Sequence, residues 1–162
     1  MKLELHPDWH EFLRLLIAHR VKFLVVGGHA VAAHGAPRLT QDLDVLFEPT
    51  LANSVRLRDA LIAFGFGDVA PEAGALTTRG KVWMLGRAPQ RIDLLPDISG
   101  VSFPVAWRTR VEVDLDGTHL PVIGRAQLIS NKRAAGRAKD LADVEALSPA
   151  KRRAGRLRTR KR

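Results

Sequence analysis

The stretch FLVVGGHAVAAHGAPRLTQDLDVLF, residues 23–47, decides the fold of this chain. Its first four residues are apolar and favour a strand, which Gly27 and Gly28 end because glycine permits positive φ and a close backbone approach. Alanines, a valine and histidines follow at helical spacing as far as the helix breakers at 35–37. A second apolar strand then begins at Asp42. The stretch therefore predicts a strand, a glycine turn, a short helix, a loop and a second strand.

Two carboxylates open the second strand, one residue apart. Because successive side chains of a strand alternate between its faces, Asp42 and Asp44 share one surface while Leu43 and Val45 enter the core. Like charges held side by side repel each other unless a cation lies between them. Carboxylate oxygens are ligands that Mg²⁺ and Mn²⁺ prefer, so this surface is a candidate metal site.

A third carboxylate, Asp93, interrupts the apolar run 92–95. If that run is a strand beside the one that carries Asp42 and Asp44, the three acids can hold two divalent ions in the arrangement used for phosphoryl transfer. An Asp-x-Asp pair alone is weak evidence, because most such pairs lie at exposed strand ends or turns. The combination of a Gly-Gly turn, an Asp-x-Asp pair and a later Asp within an apolar strand is more specific.

The rest of the chain alternates helical and strand patterns without a regular repeat. Helical spacing is present at 8–19, 51–64, 125–135 and 141–147, with a break at Gly136. Strand patterns are present at 81–85, 91–95, 111–115 and 120–123, and Asp116-Gly117 predicts a hairpin between the last two. The pattern predicts an α/β or α+β fold, with a mixed sheet flanked by helices and a short C-terminal helical segment. A doubly wound parallel sheet fits it less well.

Composition narrows the site chemistry. The chain of 162 residues has no cysteine, so any metal must be held by carboxylates or histidines. His29 and His34 are five residues apart, a poor spacing for joint ligation, and are predicted to be packing or surface residues. The sequence has no apolar run near the ~20 residues of a membrane helix, and its start lacks the apolar core of a signal peptide. A cytoplasmic protein with no membrane partner is expected.

The net charge of +9 is concentrated at one end. Eight of the 26 basic residues lie in 151–162, so residues 1–150 hold the other 18 beside all 17 acidic residues. This division predicts a folded domain over 1–150 and a basic, disordered tail over 151–162. The tail is either a solvated appendage or an arm that binds nucleic-acid phosphates in a salt-dependent way.

The Gly-Gly turn, the Asp-x-Asp pair and the later Asp together resemble the nucleotidyltransferase superfamily typified by DNA polymerase beta. Within it, 26–35 and 38–44 most closely resemble the AbiEii-like toxin nucleotidyltransferases and other minimal bacterial members. The segments 128–132 and 137–143 are similar to their C-terminal pattern, in which a lysine is followed by a basic-Asp-x-x-Asp element. The resemblance covers about residues 10–147.

The resemblance implies transfer of a nucleoside monophosphate from a nucleoside triphosphate to an acceptor, with release of pyrophosphate. Asp42 and Asp44 would coordinate two Mg²⁺ ions, with Mn²⁺ as a substitute. Asp93 would bind one of these ions and orient or deprotonate the acceptor hydroxyl. These three residues are thus the implied catalytic and metal-binding groups.

The same resemblance implies a nucleotide-binding set. Gly27 and Gly28 would let backbone N–H groups approach the triphosphate, and Lys132 would approach it as a point charge. Many catalytic members have a serine where this chain has Gly28, and the missing hydroxyl bears on nucleotide affinity more than on metal binding. Trp83 and Trp107 are expected to line the core or a pocket.

Two readings stay open for the remaining candidates. Arg38 and Thr40 either contact phosphate or steady the loop before the acids, where Arg38 would offset their charge. Asp140 is either a nucleotide-site residue or a helix cap, and Asp143 is predicted to place its charge in the first turn of the same helix.

The leading hypothesis is therefore a magnesium-dependent nucleotidyltransferase, and the resemblance suggests the toxin of a toxin–antitoxin pair. Its partners would be a nucleoside triphosphate, an RNA or protein acceptor and a cognate antitoxin, and the basic tail favours RNA. The alternative is a catalytically inactive module that keeps the fold and binds nucleic acid or a protein partner.

Overall fold

The computed structural model describes residues 3–148. These residues form six strands: β1 Phe23–Val26, β2 Asp42–Phe47, β3 Trp83–Leu85, β4 Arg91–Leu95, β5 Val111–Leu115 and β6 Thr118–Val122. Seven α-helices accompany them: α1 Pro7–Ala18, α2 Gly27–Ala33, α3 Leu51–Leu61, α4 Ala73–Leu76, α5 Phe103–Arg108, α6 Arg125–Ala135 and α7 Ala138–Leu147. The predicted tail, 151–162, lies outside the described residues. None of the helices within 3–148 has both the length and the apolar character that a membrane crossing requires.

The strands form one mixed sheet in the order β3-β4-β2-β1-β6-β5. Strand β1 pairs antiparallel with β2 and parallel with β6, whereas β2 pairs parallel with β4. The outer strands β3 and β5 each pair antiparallel with their neighbours. The predicted mixed sheet with flanking helices is thus confirmed, and β2 lies at its centre between β1 and β4.

The core forms around β1 and β2. All four side chains of β1 are buried, which explains why this strand is a continuous apolar run rather than an alternating one. Helix α1 buries Trp9, Phe12, Leu13 and Leu16, which recur at helical spacing, and the helix begins at a proline in its first turn as predicted. Helix α2 contacts both β1 and β2, so the glycine turn is fixed against the centre of the sheet.

Several boundaries differ from the predictions. The helix predicted over 51–64 ends at Leu61 and continues as a π-helical turn over Ile62–Phe66, where Gly65 takes a φ of 105°. Helix α2 begins at Gly27 rather than at residue 29. The short helices α4 and α5 were not predicted, because four and six residues are too few to show a helical period. The Asp-Gly hairpin is confirmed, with positive φ at Asp116 and Gly117.

Asn53, which sequence reasoning did not single out, is fully buried near the start of α3. Its Nδ2 donates to the carbonyls of Lys22 and Glu48 at 3.0 and 2.9 Å, and its Oδ1 accepts from the backbone N–H of Lys22 at 2.7 Å. These bonds satisfy three backbone groups beside β1 and β2. They fix α3 against the strand pair on which the carboxylates lie.

Candidate metal and nucleotide site

The parallel pairing of β2 and β4 brings three carboxylates together. In this register Asp44 lies directly opposite Asp93, and Asp42 lies opposite Arg91. One oxygen from each of the three aspartates can be chosen such that all lie within 4.8 Å of one another. On the other face of the strands the alternating residues are buried apolar side chains, at Leu43, Val45, Ile92 and Leu94. The strand that contains Asp93 therefore lies beside the strand of Asp42 and Asp44, as the predicted metal site requires.

The cluster has a large excess of negative charge. Burial, followed by the charges of Asp42 and Asp93, raises the pKa of Asp44 to about 7, although Lys132 and Arg91 partly oppose this shift. Burial contributes most to this shift, and a deficit of positive charge beside the three carboxylates adds to it, because Arg91 and Lys132 oppose the repulsion only in part. Three hard oxygen donors around such a deficit fit Mg²⁺ or Mn²⁺.

Arg91 is a member of the site that the sequence analysis missed. Its Nε donates to Asp93 Oδ1 at 2.8 Å, while Nη2 donates to Asp93 Oδ2 at 3.0 Å and to Asp42 Oδ2 at 2.8 Å. Hydrogen bonding to Asp93 is the main reason that the pKa of Arg91 lies above its ordinary value. A signal was available, because Arg91 is two residues before Asp93 and residues i and i+2 of a strand share a face.

The glycine turn is packed against the carboxylates. Gly27 has a φ of 67°, and a Cβ at this position would overlap the Asp44 carboxylate. A Cβ on Gly28 would lie 3.0 Å from both Cβ and Oγ1 of Thr40 and 3.3 Å from an Arg38 nitrogen. The first glycine is therefore required by the closeness of Asp44, and the second leaves room for the side chain of Thr40.

The structure assigns contacts to both residues of the loop before β2. Thr40 Oγ1 lies 3.1 Å from the backbone oxygen and 3.2 Å from Oδ1 of Asp42, so its hydroxyl steadies that carboxylate. Arg38 binds Asp143 through two nitrogens, with Nε 3.1 Å from Oδ1 and Nη2 3.2 Å from Oδ2. Its partner is thus a carboxylate of α7 rather than one of the three clustered acids. Both residues also line the main cavity.

Lys132 is buried between two acids of the following helix. Its ammonium lies 3.1 Å from Asp140 Oδ1 and 3.1 Å from Asp143 Oδ2, and the three side chains are 5%, 0% and 5% exposed. An ammonium has three donors, so one remains for a ligand of the cavity that Lys132 lines. Lys132 therefore fixes α6 against α7 and still lies close enough to Asp44 to influence its pKa.

Asp140 combines capping with ion pairing. It accepts hydrogen bonds from the backbone N–H of Arg137 at 3.3 Å and from the Arg137 Nε at 2.7 Å. Burial would raise the pKa of Asp140, but the hydrogen bonds and charges of Arg137 and Lys132 outweigh it, and the pKa is lowered. Asp143 lies in the second turn of α7, beyond the first turn where it was expected, and binds Lys132 and Arg38.

Apart from Asp143, these groups line one cavity of about 650 Å³. We call the part of the lining formed by the three clustered carboxylates and the adjacent glycine turn the floor of the cavity. The lining also contains basic groups, which include Arg38, Lys132, Arg137 and Lys139. The lining also includes the apolar side chains of Val82, Leu95 and Ile98. Acid, base and apolar surface thus converge in a space the size of a small-molecule site.

The histidines and tryptophans have packing roles. His34 is buried and lies 2.7 Å from the carbonyl of Ile123. His29 is 8% exposed and packs edge-on to Trp9 at 4.9 Å, and burial lowers the pKa of His29. Trp83 and Trp107 pack partly buried against the core. The expectation for these four residues is confirmed.

Comparison with known proteins bears on the fold. No family model matches the chain, and no curated protein matches its sequence. Among solved structures it is similar to the crystal structure of an antigenic nucleotidyltransferase-like protein from Paracoccidioides brasiliensis. The two share 18% identity and a TM-score of 0.54 over 88% of this chain and 77% of that chain. The predicted nucleotidyltransferase-like fold is therefore supported, while the narrower resemblance to AbiEii-like toxins stays a prediction.

Proposed function

We propose that this protein is a metal-dependent nucleotidyltransferase that moves a nucleoside monophosphate from a nucleoside triphosphate to an acceptor. One observation carries the proposal: the parallel register of β2 and β4 places Asp42, Asp44 and Asp93 together on the floor of a cavity beside a glycine turn. The likeness of the fold to a nucleotidyltransferase-like protein supports it.

In this proposal Asp42, Asp44 and Asp93 hold two Mg²⁺ ions. The ions would neutralise charge on the triphosphate and the pyrophosphate leaving group. Thr40 keeps Asp42 in place through its hydroxyl, and the opposed register keeps Asp44 against Asp93. Asp93 is the carboxylate that we assign to orienting the acceptor hydroxyl and taking its proton.

The triphosphate would lie between the glycine turn and the basic groups of the cavity lining. Gly27 and Gly28 allow a phosphate to approach the backbone, and Lys132 has a donor left for it. Thr40 Oγ1 is 3.0 Å from the place of a Gly28 Cβ, so it can supply the hydroxyl that Gly28 lacks. Arg38 reaches the same place with a nitrogen at 3.3 Å. We assign Asp140 a supporting role, because it holds Lys132 in position.

We infer that the acceptor is RNA, with a protein as the other outcome of the test. Eight basic residues in 151–162 give the chain a phosphate-binding arm beside a nearly neutral remainder. A toxin role and a cognate antitoxin belong to the same proposal and follow from the sequence resemblance. A cytoplasmic location is proposed with them.

The proposal is tested by incubating the protein with each α-labelled nucleoside triphosphate, Mg²⁺ and cell extract. We expect label to appear in an RNA or protein band, to depend on Mg²⁺, and to be lost in Asp44→Ala. The control is Asp68→Ala, which removes an exposed carboxylate and should keep full transfer. Transfer that survives Asp44→Ala would overturn the assigned site.

An inactive module is the second candidate, and Arg91 favours it. Its guanidinium already offsets part of the negative charge of Asp42 and Asp93. The cluster therefore has a positively charged side chain bonded to it without any metal ion. On this reading neither Mg²⁺ nor any nucleoside triphosphate shifts the melting temperature. A shift of several degrees with the two together, lost in Asp44→Ala, would count against it.

A further inference from the structure

Arg91 is bonded to two of the three carboxylates that would hold a divalent cation. Its guanidinium binds both oxygens of Asp93 and Oδ2 of Asp42 at 2.8 to 3.0 Å. Each of these oxygens belongs to a carboxylate of the three-membered cluster. A cation held by the cluster would therefore share its ligands with a positive charge already bonded to them.

The arrangement follows from strand geometry rather than from a mobile loop. Arg91 and Asp93 share one face of β4 because they are two residues apart, and Arg91 lies opposite Asp42 in the parallel register. The arginine side chain is 34% exposed, so its planar head can leave the carboxylates without any movement of the backbone. The strand register therefore favours the contact of Arg91 with Asp42 and Asp93, and a rotation of the arginine side chain can break it.

The cavity offers the guanidinium another partner. Arg91 lines the same space as Gly28, Lys132 and Lys139, where the triphosphate is proposed to bind. Guanidinium groups bind phosphate oxygens through two parallel hydrogen bonds, as they bind carboxylates. A triphosphate would therefore attract Arg91 away from Asp42 and Asp93 and expose their oxygens.

We propose that Arg91 is a positioning residue that holds the carboxylates together in the free protein and weakens their affinity for divalent cations until a triphosphate binds. This inference rests on the proposed function, because it takes the cluster to be a metal site. It adds an order of events, in which the nucleotide and the metal bind together and free metal binds weakly.

The test measures Mn²⁺ binding by electron paramagnetic resonance in the full-length protein without nucleotide. Arg91→Met and Arg91→Gln both remove the charge, and Gln keeps a donor for Asp93 if Met disturbs folding. We expect each variant to bind Mn²⁺ at least about tenfold more tightly than the wild type, because a like charge beside the site is gone. Arg87→Met, which removes an exposed arginine of the preceding loop, should change affinity less than about twofold.

A structural role alone would give the opposite sign, since a disturbed cluster binds metal less well. Unchanged or weaker Mn²⁺ binding in a folded Arg91→Gln protein overturns the inference. Asp44→Asn, made in both backgrounds, separates the two proposals. If wild-type binding requires Asp44 but is not tightened by Arg91→Gln, the inference fails and the metal site stands. If neither the wild type nor Arg91→Gln binds Mn²⁺, both fail.

Discussion

Among single residues, Gly27 is one whose substitution the structure tolerates poorly. Its φ of 67° suits glycine, and a Cβ would overlap the Asp44 carboxylate. We expect Gly27→Ala to lower the free energy of unfolding by more than the ~1–2 kcal/mol that a left-handed conformation costs other residues. It should also abolish Mn²⁺ binding, because Asp44 must move.

The matched control is Gly35→Ala at the end of the same helix. Gly35 has a φ of 92°, but a Cβ there meets no heavy atom within 4 Å. This variant carries the backbone strain without the overlap, so it should lose stability in urea and keep its Mn²⁺ affinity. Equal effects of the two variants on Mn²⁺ binding would show that the closeness of Gly27 to Asp44 is unimportant.

Asp44 makes the stability of the metal-free protein depend on pH. Burial and the charges of Asp42 and Asp93 raise its pKa from 3.8 to about 7 on folding. Between these values the folded protein holds a proton that the unfolded chain has released, so the free energy of unfolding falls as the pH rises through this window. The asparagine of Asp44→Asn does not titrate, so this variant lacks the part of the pH-dependent loss of stability that comes from Asp44.

The melting temperature in EDTA tests this sign. The gain of Asp44→Asn over the wild type should be larger at pH 8 than at pH 5. Asp68→Asn, at an exposed carboxylate, should follow the wild type at both. A gain that is the same at both pH values would show that Asp44 ionises normally.

Side-chain alternation explains why the three carboxylates could be predicted. The period of two placed Asp42 beside Asp44, and the apolar neighbours of Asp93 placed it in a strand. The partners of Arg38 and Lys132 could not be predicted in the same way. Both bind Asp143, and this contact depends on how α7 packs, which no local pattern encodes.

Among the helices and strands, α6 and α7 depend on one buried ion cluster. Lys132 on α6 is bonded to Asp140 and Asp143 on α7. Lys132→Met leaves these buried carboxylates with fewer partners, so we expect a loss of roughly 3 kcal/mol in the free energy of unfolding. Urea denaturation measures it.

A double-mutant cycle shows whether this loss comes from the pair. Lys132→Met combined with Asp140→Asn should recover part of the stability, because one of the two buried carboxylates that lost the ammonium is then uncharged. Arg133→Met, at an exposed position of the same helix, should cost no more than about 0.5 kcal/mol. Strictly additive losses in the cycle would contradict the pairing.

The elements were predicted well where they are long. The helical period of 3.6 residues predicted both ends of α1 to within one residue, and the Asp-Gly turn predicted the β5–β6 hairpin. The helix after 51 was predicted too long, because its apolar residues continue through a π-helical turn that ends the regular helix. Wider hydrogen-bond spacing of this kind leaves no mark in hydrophobic periodicity.

Across the whole chain, the division at residue 150 stays a prediction, because 149–162 lie outside the described residues. Apart from Val144, the buried apolar side chains of 3–148 form one core, and the cavity residues lie between positions 26 and 140. We expect removal of 151–162 to leave the urea midpoint and Mn²⁺ affinity unchanged. It should weaken RNA binding and flatten its salt dependence, because eight positive charges are lost.

A full-length variant with those eight basic residues replaced by glutamine separates charge from chain length. It should bind RNA as weakly as the truncated protein does. A lower urea midpoint after truncation would instead mean that the tail packs on the folded part. RNA binding that survives both changes would place the RNA site elsewhere on the protein.

The mixed sheet was predicted, but its strand order was not. Local patterns show where strands lie and leave open which strands become neighbours. Placing β4 beside β2 requires the chain to leave β2, form α3 and β3, and return parallel at the sheet centre. The acids gave a hint, because Asp93 comes close to Asp42 and Asp44 when its strand lies beside theirs.

The register between β2 and β4 also decides how the site can move. The acids alternate with Leu43, Val45, Ile92 and Leu94, which are buried in the core, so these two strands cannot slip or separate without exposing it. Their amide hydrogens should therefore exchange with deuterium only through global unfolding. The floor of the cavity is a rigid frame, and ligand entry must be accommodated by side chains such as Arg91.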